Sequence, residues 1–338
     1  MTATARPVSG TMEQVATMQQ IVQDGYGSTA VMHLREVPKP EIGDDGVLVR
    51  VRAASVNALD WHMLRGTPFL VRLSEGWRRP KTAPGVDLAG VVEAVGRDVT
   101  ELAVGDEVFG GRNGSFAEYS AGRVRNFVRK PANLTFEQAA AIPVAAVTAL
   151  QAVRDQAHIQ AGQRALVMGA GGGVGTFAVQ IAKAFGAHVT ATANAAVLET
   201  LRSAGADEVL DYARTDVATS GGPYDAILDV GGYGRLGDLN RILRPGGVVV
   251  SVGAGDSTLR HLVWGIVESK LRSRFRHQDM RHFLAKLNRD DLLVLADLAA
   301  AGRIVPVIDR VVPLAEVPAA IAYVEAGKAR GKVVVSVG

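Results

Sequence analysis

The chain of 338 residues contains no cysteine. That excludes disulfides, thiolate nucleophiles and a structural zinc held by cysteine. No apolar run is long enough to span a bilayer, and no hydrophobic signal segment opens the sequence, so no membrane partner is expected and cytoplasmic residence is the default. An excess of either charge is missing as well. The net charge is +3 and dispersed. The densest basic stretches, Arg272 with Arg274 and Arg276, and Trp77-Arg78-Arg79-Pro80-Lys81, read as solvated faces. No nucleic-acid partner is expected from them. The seven histidines do not pair at metal-ligand spacing, so no metal site is expected. One absence is local. A GxGxxG turn would need a glycine at position 170, and Ala170 stands there ahead of Gly172 and Gly175.

What is present around that turn is more informative. Residues 165–190 read ALVMGAGGGVGTFAVQIAKAFGAHVT. An apolar run ends at Met168, glycines follow to Gly175, and Phe177, Ala178, Ile181, Ala182 and Phe185 then recur at helical spacing. Strand, glycine turn and helix in that order form the first half of a dinucleotide-binding unit. Its glycines admit a pyrophosphate to the backbone, and the helix N-terminus offers it free N–H groups. Ala170, Gly172, Gly173, Val174 and Gly175 are the expected contacts. Further apolar strands at 186–192, 208–212, 225–230 and 248–252, with a helix at 198–204, argue for a doubly wound parallel sheet of the Rossmann type.

Coenzyme choice turns on the end of the second strand. An NAD site usually places Asp or Glu there for the ribose 2′-hydroxyl. Asn194 falls at that place, and no acid lies between Thr190 and Leu198. A 2′-phosphate meets no repulsion there, and NADPH is the expected coenzyme.

The remainder of the chain is β-rich. Short strands at 46–56, 87–96 and 105–110, broken by glycine and aspartate, suggest a compact, partly barrel-like domain. A helical pattern from Thr135 to Gln156 links it to the nucleotide domain. Strands at 307–312 and 331–337 are expected to rejoin the first domain and leave a substrate cleft between the two. The expected division is a flexible extension at 1–17, a catalytic domain at 18–138 and 278–338, and a nucleotide domain at 139–277. Residues 61–82 and 254–282 read as loops that shape the pocket.

Several segments together resemble a known family: PGVDLAGVVEAVG (84–96), VGDEVFG (104–110), AAAIPVAAVTAL (139–150), the AGGGVG turn, LRPGGVVVSVG (243–253) and ARGKVVV (329–335). They are similar to the medium-chain dehydrogenase/reductase superfamily, in its zinc-independent quinone oxidoreductase-like branch, from about Met18 to Gly338. The resemblance implies an α/β fold, with a GroES-like β-rich catalytic domain and a Rossmann domain. It also implies a homodimer, and hydride transfer from NADPH to a small-molecule substrate, a quinone or an α,β-unsaturated carbonyl (enone). Where the zinc branch opens with a Cys ligand, Asn57 stands here, and Pro84-Gly85-Val86-Asp87 replaces a GHE-like segment.

The same resemblance names site residues. Asn57 and His62 fall on the nicotinamide side as candidate catalytic groups, with water as the rival to His62 for proton supply. Asp60 is expected to hold their loop through side-chain–backbone bonds. Thr148 matches a threonine near the nicotinamide, or alternatively bonds back to its own helical turn. Gly253 and Phe275 are expected to pass the nicotinamide. Tyr212 and the cations Lys328, Arg330 and Lys332 match positions at the adenosine end. Two other readings remain open: a carbonyl or alcohol dehydrogenase of the same superfamily, and a non-catalytic NADPH-binding sensor or interaction protein.

Overall fold

The computed structural model describes residues 16–219, 221–232, 236–252 and 279–338. The expected extension at 1–17 lies outside the described residues except for its last two, and Thr17 already belongs to a strand.

The first strands, β1 (Thr17–Gln23) and β2 (Met32–Pro38), form an antiparallel pair. β3 (Gly46–Val56) is the long central strand of a seven-stranded sheet. One of its edges pairs with β4 (Asp87–Val95), which leads on to β5 (Glu107–Gly111). β6 (Tyr119–Arg123) pairs with the first half of β3, and β7 (Phe127–Arg129) pairs with β5. Valines of β3 alternate inward, so Val47, Val49 and Val51 meet Leu88, Val92, Val108 and Phe127 in one apolar cluster. Two helices lie where loops were expected at 61–82: α1 (Ala58–Arg65) and α2 (Leu70–Glu75). The α1 helix is short, with Gly66 in the left-handed region at its end, and its period is hard to see in eight residues.

The helical pattern at 135–156 is interrupted. α3 (Phe136–Ala140) stops, Pro143 opens α4 (Pro143–Gln151), and a π turn runs on to Gln156. Proline fits the first helical position because its missing N–H has no acceptor there. Six parallel strands follow: β8 (Arg164–Met168), β9 (His188–Ala193), β10 (Glu208–Asp211), β11 (Tyr224–Val230), β12 (Leu243–Val252) and β13 (Asp279–Phe283). Their spatial order is β10-β9-β8-β11-β12-β13. The helices α5 (Gly173–Ala184), α6 (Leu198–Ser203) and α7 (Leu236–Ile242) connect them. β8 neighbours both β9 and β11, so the topological switch lies at its carboxyl end, where such sheets bind ligands.

The expected boundary at 277 and 278 is corrected by β13. Residues 279–283 pair with Val248–Val252 and complete the nucleotide sheet, so the division falls after Phe283. The polar mix of DMRHF hid this strand from the sequence. α8 (Arg289–Ala300) then packs on α4 and β7. β14 (Ile308–Pro313), α9 (Val317–Glu325) and β15 (Lys332–Ser336) end the chain. β15 runs antiparallel to β3, with Val333 opposite Val56, so the catalytic sheet is made from both ends of the chain. Among the described residues, no helix is long and apolar enough to cross a membrane.

Candidate coenzyme cradle and buried ion cluster

The turn between β8 and α5 is shaped by glycine in more than one way. Gly169 has φ of 66°, the left-handed backbone that a side chain disfavours. The turning glycine is therefore one position before the one expected at 170. Ala170 needs no special conformation. It is fully buried, its N–H donates to Thr192 O at 3.0 Å, and it packs strand against helix rather than facing a ligand. Gly175 lies against it: a Cβ there would come within 2.4 Å of Gly169 O and 2.6 Å of Ala170 Cα. Gly172 differs. It is the N-cap of α5 with φ of −86°, and a Cβ there would meet only Gly169 O, at 3.7 Å. No side chain caps the helix and no acid lies in its first turn. First-turn N–H groups have no acceptor within their own helix. The turn thus presents an uncapped helix end across open space, and a dinucleotide pyrophosphate fits it.

The catalytic domain closes one side of this turn. Gly331, just before β15, pairs with Gly172 in a parallel bridge. Gly331 has φ of 109°, and a Cβ there would stand 2.4 Å from Val307 O. Lys332 follows. Its Cδ lies 2.9 Å from where a Cβ on Gly173 would be. Its side chain is 2% exposed and runs behind the turn into the catalytic domain. This corrects the expectation that its ammonium serves the adenosine end: as the first residue of β15 it faces inward. Lys332 Nζ donates to Asn57 Oδ1 at 2.6 Å and lies 3.4 Å from Asp87 Oδ2. Asn57 Nδ2 and Ser55 Oγ donate to the same Asp87 oxygen at 2.8 and 3.0 Å. The N–H of Val144, at the start of α4, donates to Asp87 Oδ1 at 3.0 Å. Four donors thus satisfy a carboxylate that is fully buried.

Asp60 completes the cluster. Its Oδ2 accepts the Asn57 N–H at 2.7 Å across the first turn of α1, as expected of a side chain holding its loop. Burial pushes its carboxyl up to about 7, the bonds from Asn57 and Gly85 oppose that shift, and the neighbouring Asp87 charge adds to it. Burial also lowers the pKa of Lys332, against the pull of Asp87 and Asp60.

His62 is not gathered into this cluster. Two positions along α1 place it about 200° around the helix from Asp60. There its ring stacks on Trp61 and its Nδ1 lies 3.5 Å from Thr67 Oγ1. Thr148 Oγ1 donates to Val144 O at 2.6 Å, the back-bonded alternative. Asn194 caps the turn after β9 by accepting the Ala196 N–H, and Tyr212, 58% exposed, stands at the end of β10 beside it. Arg330 is exposed next to the Gly172–Gly331 bridge. Gly253 and Phe275 lie outside the described residues. Sequence reasoning did not assign Asp87 or Ser55 a role. Their signal was a pair of polar side chains at facing positions of two paired strands, Ser55 opposite Asp87, both buried.

Residues 43–132 match the family description "Alcohol dehydrogenase GroES-like domain", and residues 204–335 match "Zinc-binding dehydrogenase". The chain is 32% identical to the mitochondrial NAD(P)H oxidoreductase RTN4IP1 of Bos taurus, over 98% of this chain and 92% of that protein. It is 34% identical to the 2-methylene-furan-3-one reductase of Solanum lycopersicum, over 92% of this chain and 76% of that one. Among solved structures, the quinone oxidoreductase from Coxiella burnetii superposes with a TM-score of 0.82 at 30% identity, covering 96% of this chain and 100% of that one.

The chain belongs to the medium-chain dehydrogenase/reductase superfamily. Within the superfamily it falls in the zinc-independent, quinone oxidoreductase-like branch. Superfamily membership makes it an oxidoreductase with a nicotinamide coenzyme. The match to the zinc-binding description spans neither Asn57 nor Asp87. Asn57, at the place of the zinc members' Cys ligand, here gives its amide oxygen to an ammonium group. Among the described residues, no three His, Asp or Glu side chains gather as a metal site would require.

Proposed function

We propose that the protein is an NADPH-dependent reductase of quinones or α,β-unsaturated carbonyls that works by direct hydride transfer. The observation that carries this reading is the open cradle at Gly172, walled by Gly331 and the buried Asn57–Asp87–Lys332 cluster. Gly172 to Gly175 would hold the pyrophosphate, and Asn194, Tyr212 and the exposed Arg330 the adenosine end. When bound, a reduced nicotinamide supplies hydride. The protein's part is to orient the two reactants and to donate hydrogen bonds where negative charge develops on the acceptor oxygen. The amide oxygen and nitrogen of Asn57 already have partners, so its second Nδ2 hydrogen is what it can offer an acceptor.

The Coxiella burnetii and tomato relatives carry quinone oxidoreductase and 2-methylene-furan-3-one reductase as names, and both support an electron-poor acceptor. Asn194 in place of an acid supports NADPH. The edge strand β13 leaves one side unpaired among the described residues, which supports a homodimer joined through this sheet. The test is NADPH consumption with a panel of benzoquinones, enones, aldehydes and ketones. Turnover on quinones or enones alone supports the reading, and turnover confined to plain ketones overturns it.

A further inference from the structure

The Lys332 cluster is hidden from solvent yet touches the coenzyme turn from behind. Lys332 is 2% exposed and Asp87 is fully buried, and the lysine stem packs against Gly173, the first residue of α5. Burying charge is costly, and a buried ion pair often stabilises a fold no better than apolar residues of the same volume. Three elements nevertheless converge to keep this one: β15 brings Lys332, α1 brings Asn57 and Asp60, and β4 brings Asp87. The N-terminus of α4 meets Asp87 through the Val144 N–H, while that of α5 faces the open side of the turn.

We propose that the buried Lys332–Asp87–Asp60 cluster is part of the coenzyme site, setting the charge directly behind the pyrophosphate turn. This rests on the coenzyme reading above. The charged groups facing Asp60 are Asp87 from β4 and Lys332 from β15. β3 contributes the neutral Ser55 hydroxyl, and α4 and α5 have no acidic or basic residue in their first turns. With Asp60 protonated the cluster is neutral. With Asp60 ionised it carries one net negative charge behind a site that must receive a dianionic pyrophosphate. Coenzyme binding therefore favours protonated Asp60, and ionisation of Asp60 opposes coenzyme. Burial places that ionisation near neutral pH. Lys332 is a positioning residue in this scheme. Its ammonium offsets Asp87, and its stem holds β15 against Gly173.

The test measures dissociation constants for NADPH and NADH by fluorescence, at about pH 6 and about pH 8.5, with melting temperatures of each protein in parallel. The difference between wild type and Asp60→Asn cancels titration of the coenzyme's own 2′-phosphate. Wild-type affinity falls between the two pH values by several-fold more than that of Asp60→Asn. Lys332→Met binds both coenzymes about tenfold more weakly, the scale of one unit charge at an effective dielectric of about 20. Lys332→Arg, which keeps the charge, recovers most of that loss. If Lys332→Met does not fold, Lys332→Met/Asp87→Asn removes the orphaned charge. It then binds coenzyme at least as tightly as Asp60-ionised wild type and keeps the Asp60-dependent pH profile. Wild type that binds neither coenzyme overturns the coenzyme reading and this inference together. Wild type that binds, with an identical pH profile in Asp60→Asn, or with a folded Lys332→Met of unchanged affinity, overturns the inference alone.

Discussion

Gly172 of the nucleotide domain and Gly331 of the catalytic domain form a parallel bridge. Residues far apart in sequence thus meet backbone to backbone at the mouth of the coenzyme cradle. On one side of that bridge lies the uncapped end of α5, and on the other the buried ammonium of Lys332.

The glycines of the turn separate ligand space from packing space. Gly172→Val places its side chain in the open cradle, in a backbone region valine accepts. Coenzyme affinity falls more than about tenfold while the unfolding free energy changes by less than about 1 kcal/mol. Gly175→Val drives a side chain into Gly169 O and Ala170 and costs about 3 kcal/mol or more in stability. Coenzyme titration and urea denaturation of the two variants check this, and equal affinity in folded Gly172→Val contradicts it.

Asp60 makes stability depend on pH. Its folded pKa of about 7 lies above its ordinary 3.8. Between those values the unfolded chain ionises the group while the folded chain keeps it protonated. Stability from this group is therefore fully present below about pH 4, is lost as pH rises to about 7, and is level above that. Asp60→Asn lacks the loss. Its stability relative to wild type should rise by more than about 1 kcal/mol between pH 4 and pH 8. Denaturant curves at several pH values decide it.

Asp291 ties α8 to α4. It is buried, accepts from Gln151 and Asn288, and pairs with Arg154 at 2.7 Å. Burial alone would raise its pKa, but those three partners together hold its carboxyl below the usual range. Its stabilisation is present above the unfolded pKa and is lost as pH falls through the folded one. Asp291→Ala leaves Arg154 with Asp155 as its remaining partner and should cost about 3 kcal/mol at neutral pH, less in acid, by thermal or chemical denaturation.

His62 stands on the opposite face of α1 from Asp60, against Trp61 and Thr67. A general acid is worth about 100-fold or more in rate. His62→Asn should lower kcat by less than about threefold, with solvent supplying the proton. A loss of about 100-fold with a changed pH profile would restore the histidine to the catalytic role first expected of it.

Repetition made the nucleotide sheet readable. Five apolar strands and a glycine turn announce themselves over 164–252, and the quoted family segments placed the catalytic domain. What escaped was short or polar. The α1 helix has eight residues, and β13 reads DMRHF, the outermost strand of its sheet among the described residues, where apolar pressure is weak. The residue that turns the chain, Gly169, lies one position before the place where GxGxxG spacing requires a glycine, because spacing alone does not tell which residue takes a positive φ. The ion cluster was legible least of all. Asn57, Asp87 and Lys332 are scattered along the chain, and only the pairing of β15 with β3 and β3 with β4 brings them together.

On the function proposed above, hydride passes from a coenzyme held at the Gly172 turn to an electron-poor acceptor. Incubation of the wild-type protein with NADPH deuterated at the nicotinamide C4, one face at a time, and a simple enone tests it directly. Deuterium is expected at the β-carbon of the saturated product from one face only, read by mass spectrometry. Product without label from either face, or no product from enones and no NADPH consumed by benzoquinones, would contradict it.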